Sequence, residues 1–383
     1  MKRRQHLLVI DPIAFEGGSK IATSNILRLL DTNTHDITIL TADRNSWKDL
    51  NIKCVNLYQL RWLSKQNHGL KYFLKHLFIA LNVLVTHFRC GPFNTALGAS
   101  GPGIDLALYI VKPLLSFRLI QLVHGSVATS RTLGRCLNNA DEVHYLESTH
   151  ASLISAISRS GKTPDTIAPP RFQVMHNGLA EHSWPKRCQY ELPVIFWAAS
   201  LLKWKGLDLL IEAFEKIGSE GRPQAHICYI RPKETLIEVS TAPVDMHAVH
   251  WHEKPENLDN LRAASNIFVS TSTQEPFGLS ILEAMAAGHC VVIPEDGSYW
   301  DRTLENGINC IKYIKNDSTD LSIQLLMISQ NMDLIQTLGN EAAKTARFYS
   351  AATQYAPITS SLQVTSFNGG SSTDPVTKKE LSL

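Results

Sequence analysis

No Gly-x-Gly-x-x-Gly run occurs in these 383 residues, so the dinucleotide-binding fingerprint is missing. No Cys-x-x-Cys pair occurs either. The seven cysteines stand apart at positions 54, 90, 136, 188, 228, 290 and 310, which indicates neither a zinc site nor a disulfide framework. Scattered thiols of this kind fit buried side chains in a reducing cytoplasm. Charge is scarce: charged residues make up 19% of the chain and the formal net charge is +2, so charge gives no basis for a nucleic-acid partner. Long apolar runs are lacking as well. Residues 7–10 follow a basic start, as in a signal peptide, but Asp11-Pro12 ends the run far too early. By this reading no stretch reaches the roughly 18 to 20 apolar residues of a membrane span. The expectation is a cytoplasmic protein, soluble or held at the inner face of the membrane.

What is present is a globular composition, 44% apolar, on a chain long enough for two domains. Residues 7–10 read as a buried strand, 11–20 with Gly17-Gly18 as a glycine turn, and 21–30 as a helix, the opening unit of a Rossmann-like half. Residues 36–40, 53–57, 105–111 and 118–123 read as further strands. The last runs into His124-Gly125, which puts a histidine at the carboxyl end of a strand, where open sheets hold their ligands. Between 61 and 87 the composition changes: Arg61, Lys65, Lys71 and Lys75 alternate with Trp62, Tyr72, Phe73 and Phe78. That pattern suits an amphipathic segment lying against anionic lipid head groups, and equally a helix packed on the first sheet. An apolar strand over 172–179 ends in Asn177-Gly178, and the polar stretch 181–191 reads as a linker.

A second alternating unit opens with a strand over 192–199 and a loop, Ser200 to Gly206, ahead of a helix over 208–217. Strands over 224–230 and 249–251 and a helix over 255–264 follow. The densest chemistry lies at 270–288, STSTQEPFGLSILEAMAAG. A strand over 266–269, a turn with Pro276 and Gly278, and a helix over 279–287 closed by Gly288 aim free amides and a positive helix end at an anion. Glu275 and Glu283 frame the unit. Beyond it come a strand over 290–293, helices over 320–327 and 332–345, and a small, polar tail over 365–383 expected to be disordered.

EPFGLSILEAMAAG, with seven residues between the two glutamates, resembles the signature of the retaining glycosyltransferases of family 4 (glycosyl transferases group 1). The resemblance is close over 196–314 and weak across the first half. It implies the α/β fold called GT-B, two Rossmann-like domains facing across a cleft. The division would be an acceptor-side domain over 1–185, a nucleotide-sugar domain over 190–345, and a segment over 346–364 crossing back to the first. The implied reaction moves a hexosyl-type sugar from a nucleotide diphosphate to an acceptor hydroxyl with retained configuration. A surface or exopolysaccharide is the implied product, and the acceptor a glycan or a lipid-linked molecule.

The same resemblance distributes the roles. Lys205 and the amides of Phe277, Gly278 and Leu279 would hold the departing diphosphate, Glu275 the sugar hydroxyls and Glu283 the ribose. His124 and the Gly17-Gly18 loop would approach from the other domain. The family pattern has an arginine five residues before the lysine, where this chain has Ser200. Lys203, in the same loop, is the candidate substitute, although an ammonium cannot copy a bidentate guanidinium. No Asp-x-Asp motif occurs, so neither a bridging metal nor another cofactor is expected. Two other readings stay open: a sugar-nucleotide-binding scaffold with impaired catalysis, supported by Ser200, and an epimerase or phosphorylase on the same scaffold.

Overall fold

The computed structural model describes residues 4–14, 17–64, 69–232 and 237–363; the tail over 365–383 lies outside them. In the first unit, β1 (Gln5–Asp11) leads into α1 (Gly18–Arg28), β2 (His35–Thr41) and β3 (Lys53–Asn56). The short α2 (Arg61–Ser64) and long α3 (Gly69–Cys90) carry the chain back to β4 (Thr95–Gly98). Then come α4 (Leu106–Val111), β5 (Arg118–Val123), α5 (Arg131–Asn139), β6 (Glu142–Leu146), α6 (His150–Arg159) and β7 (Phe172–Met175). Leu7, Leu8, Val9 and Ile10 of β1 are all buried, the continuous apolar run of a parallel strand covered on both faces.

The second unit holds β8 (Val194–Ser200), α7 (Leu207–Ile217), β9 (Gln224–Ile230), β10 (Val249–Glu253) and α8 (Leu258–Ala263). It continues through β11 (Ile267–Val269), α9 (Leu279–Ala287), β12 (Cys290–Glu295), α10 (Tyr299–Thr303) and β13 (Ile311–Ile314). Two helices, α11 (Ser318–Ser329) and α12 (Met332–Ala346), close it before α13 (Ala351–Gln354) and α14 (Ala356–Gln363).

Among the described residues the two parallel sheets run β3-β2-β1-β4-β5-β6-β7 and β10-β9-β8-β11-β12-β13. Each therefore reverses its winding once, between β1 and β4 and between β8 and β11. Loops leaving the carboxyl ends of strands at such a reversal cannot pack over one another, and a crevice opens there. The four loops in question are those after β1, β4, β8 and β11.

Residues 105–111, expected as a strand, form helix α4, and the strand of this region is the unforeseen β4. An apolar run of seven cannot be told from a buried helix by periodicity. Here Leu106, Ala107, Leu108 and Val111 are buried on a helix, so no polar face betrays its period. The two readings of 61–87 resolve in part. His76, Ile79, Ala80, Val83 and Thr86 form a buried stripe on α3, and its apolar members share a core with Leu8, Ile10 and Leu40 of the sheet. The opposite side is exposed. At 22 residues, with a mean hydropathy of 1.2 in its most apolar window, α3 is by length and composition a candidate span, contrary to the expectation of none.

The chain passes between the units twice, side by side. At the first crossing Leu179 N–H donates to Tyr349 O (2.8 Å), and at the second Ala351 N–H donates to Leu179 O (2.7 Å). Gly178 lets them touch: a β-carbon there would lie 2.8 Å from the Ala351 backbone. Its N–H donates to the buried Tyr355 hydroxyl (3.1 Å), and Arg118 of β5 donates to Ser361 O, so the last helices sit on the first unit. One apolar cluster runs through both units, joining Val9 and Ile26 to Phe196, Phe268 and Ile281.

Candidate active site

The loop after β8 is held by its neighbour. Gly206 takes φ +74°, and a β-carbon there would fall 2.0 Å from Thr271 O, so the loop lies flat on the chain leaving β11. Trp197 donates from Nε1 to Thr271 Oγ1 (3.0 Å), and Thr271 Oγ1 donates to Lys205 O (2.9 Å). Thr273 N–H donates to Trp204 O (2.9 Å). These bonds fix the backbone from which the Lys205 side chain leaves. Its ammonium lies 4.3 Å from the Trp204 ring centroid and 2.6 Å from Glu275 Oε2, with both side chains mostly buried, 17% and 13% exposed.

Two helices begin beside this pair. α7 follows Gly206, and α9 follows Gly278 at φ +85°; neither N-terminus receives a side-chain cap among the described residues. Uncapped first-turn amides carry the positive end of the helix dipole and call for an anion. Gly278 is needed where it stands: a β-carbon would lie 2.9 Å from Ile281 and 3.1 Å from Glu275. Phe277 is buried against Tyr299, Trp300 and Tyr349, while Trp300 Nε1 donates to Gly278 O (3.2 Å).

From the first unit, a β-carbon on Gly18 would lie 3.5 Å from Leu279 Cδ1, so the N-termini of α1 and α9 face each other across the crevice. The loop carrying Gly17 is anchored by a group that the sequence reading missed. Lys20, 5% exposed, sits 3.0 Å from Asp11 Oδ2 and 3.3 Å from Asp43 Oδ2, and donates to Ile13 O (2.8 Å). Asp11 Oδ2 also accepts from Thr41 Oγ1 and Trp47 Nε1, each at 2.8 Å. A lysine in the first turn of a helix opposes the dipole, and these carboxylates offset that cost. The available signal was an aspartate at the carboxyl end of a strand and a lysine opening the next helix.

His124 follows β5 with both ring nitrogens buried and without hydrogen-bond partners among the described residues. Burial lowers its pKa to about 4, so near neutral pH it is an uncharged imidazole. Ser200 ends β8 beside Ile230, and no guanidinium takes its place from the same loop. Lys203 points to solvent, 57% exposed, with its ammonium 4.0 Å from Asp208 and 3.9 Å from Glu238. Glu283 accepts from Arg262 Nη2 (2.7 Å), and Arg262, itself buried, also donates to Asp259 (2.9 Å). Burial raises the Glu283 pKa against the pull of that guanidinium. Arg262 is the second group the sequence reading missed. A surface cavity of about 560 Å³ lined by His6, His35, Asp36 and Lys53 lies at the N-terminal strand ends, the wrong end of the sheet for this chemistry.

Comparison with known proteins agrees with the geometry. The sequence model of the family described as glycosyl transferases group 1 matches residues 181–345, under half of the chain. Mannosylfructose-phosphate synthase of Agrobacterium fabrum is 27% identical over 42% of this chain and 38% of its own length. N-acetyl-alpha-D-glucosaminyl L-malate synthase of Bacillus anthracis is 22% identical over 62% of this chain and 65% of its own. The alignments thus span less than two thirds of either relative. Among solved structures, Anabaena Alr3699/HepE in complex with UDP-glucose is similar at a TM-score of 0.70 and 17% identity, covering 94% of this chain and 99% of that one. WaaG, a glycosyltransferase involved in lipopolysaccharide biosynthesis, matches at a TM-score of 0.63 and 14% identity over 95% and 100%. Two parallel α/β sheets with a crevice between their winding reversals make this chain a GT-B protein, as the resemblance implied.

Proposed function

We propose that the protein is a glycosyltransferase that takes a hexosyl group from a nucleotide-diphosphate sugar and places it on an acceptor hydroxyl with retained configuration. One observation carries this reading. A lysine, Lys205, paired with Glu275 at 2.6 Å, lies beside two helix N-termini that lack side-chain caps among the described residues. A diphosphate brought to those amides would draw Lys205 from Glu275, because two phosphate charges outbid one carboxylate. Glu275 is then released to accept hydroxyls of the sugar, and the leaving diphosphate is stabilised by groups already in place. The neutral imidazole of His124 would meet the sugar from the opposite side without repelling Lys205. Glu283, steadied by Arg262, would take the ribose. Because fixed positive charge does this work, transfer is expected to proceed without a divalent metal and to survive EDTA. A surface or exopolysaccharide is the proposed product class.

The competing reading, a sugar-nucleotide-binding scaffold, draws on Ser200 and the outward Lys203, which leave one cation where the family pattern has two. Incubation with a panel of labelled nucleotide sugars and a membrane extract decides between them. Label reaching glycan or lipid supports transfer, and the anomeric configuration of the product, read by NMR, tests retention. Tight nucleotide binding with neither transfer nor hydrolysis supports the scaffold and overturns the proposal.

A further inference from the structure

Helix α3 buries one side and leaves the other without cover among the described residues. Leu70, Phe73, Leu77, Leu81, Val85 and Phe88 are between 41% and 79% exposed. At 100° per residue they fall within an arc of roughly 120°, opposite the stripe that meets the sheet. Such a continuous apolar ridge is unusual on a soluble surface, where exposed apolar residues are normally scattered. Its charge environment is one-sided. From position 50 to 104 the chain contains no Asp or Glu, but it has Lys53, Arg61, Lys65, Lys71, Lys75 and Arg89. On the helix Lys71, Lys75 and Arg89 share one flank of the ridge. This is the layout of a surface helix whose apolar face enters the acyl boundary while basic side chains reach anionic head groups.

We propose that the exposed face of α3 docks on an anionic lipid bilayer. Docking in the membrane plane, rather than crossing it, follows from the buried stripe: a spanning α3 would have to leave the core it shares with Leu8, Ile10 and Leu40. The orientation has a use for the site. Tyr72, in the first turn of α3, donates from its hydroxyl to Gly103 O (2.6 Å) in the loop after β4, at the carboxyl ends of the first sheet. A bilayer on α3 therefore lies beside the mouth of the crevice, where a lipid-linked acceptor could enter. That last clause rests on the transferase reading; the docking itself does not.

Flotation with vesicles of phosphatidylcholine alone, or with about one third phosphatidylglycerol, tests the surface. The protein is expected to float with the anionic vesicles, to stay behind with the neutral ones, and to release as salt rises. Leu77→Gln with Leu81→Gln, both at half-exposed positions, should weaken binding at least about tenfold at an unchanged Tm. Lys71→Glu with Arg89→Glu should weaken it about fivefold or more for each charge reversed. Nucleotide-sugar binding measured without vesicles should be the same in all three proteins, which separates failure of the surface from failure of the active site. Equal binding to both vesicle types, or to neither, would overturn the proposal. So would a wild-type dimer in solution that Leu77→Gln with Leu81→Gln converts to monomer, since the ridge would then be a subunit interface.

Discussion

Gly206 is where the site is least tolerant of change. Alanine there would need φ +74° and would drive its β-carbon to 2.0 Å from Thr271 O. Gly206→Ala should cost about 3 kcal/mol or more and lift the lysine loop off β11, seen as a lowered Tm together with lost nucleotide binding. Lys205→Ala and Glu275→Ala should each lower transfer at least about 100-fold. Read from sequence alone, neither position is core, and both variants would keep their Tm. With the two side chains at 17% and 13% exposure and 2.6 Å apart, each single variant strands its partner and should lose about 1–3 kcal/mol. The double variant should lose less than the sum, and a denaturant-based double-mutant cycle measures the difference. Full turnover in either single variant would refute the site. Lys20→Ala leaves Asp11 and Asp43 without their cation in a buried setting, a loss of about 3–5 kcal/mol readable in urea.

At the scale of elements, the site is two loops and two helix starts. Ser200→Arg at the end of β8 adds a second cation to the loop that leads into α7, and transfer should be retained or raised; complete loss would mean that the loop has no room for it. The second unit was the legible part. A glycine turn before an Ala- and Leu-rich helix fixes where α9 begins, and helix ends follow from local chemistry. The long-range pairings were not legible. Arg262, 21 residues before Glu283, meets it only because α8 packs on α9, and nothing in either helix's own sequence announces it. Lys203 and Lys205 are likewise indistinguishable by type, yet the bonds from Thr271 and Thr273 turn one inward and leave the other in water. The misread helix α4 has the same origin: burial on all sides erases the period on which a sequence reading depends.

For the molecule as a whole, the buried histidines set an acid limit. Burial lowers His76 and His124 to about 4 and His289 to about 3, from an ordinary value of 6.5. At these rings the unfolded chain binds more protons than the folded one between pH 6.5 and about 4; buried Asp105, raised to about 7, works the other way, but three rings outweigh one carboxyl and stability should fall as pH falls through that window. Scanning fluorimetry should show Tm declining steadily there. A flat Tm would mean that these rings have water or partners that let them charge in place. Arg302 of α10, bonded to Glu147 of the first unit at 3.0 and 3.1 Å, is exposed on both sides, and Arg302→Ala should move stability by no more than about 1 kcal/mol.

The paired crossing at Leu179 and Ala351 has a mechanical meaning. A lone linker would let the lobes wander; two backbones stitched by reciprocal bonds make a stiff pin instead. Rotation about that pin moves the far rim of the crevice most and the ground near it least. Phe277 packs on Tyr349, two residues before Ala351 of the second crossing, so the loop that carries Glu275 is rooted next to the axis. An opening about this pin would part the Gly18 rim from Leu279, while Lys205 and Glu275, both carried by the second lobe, would move as one body.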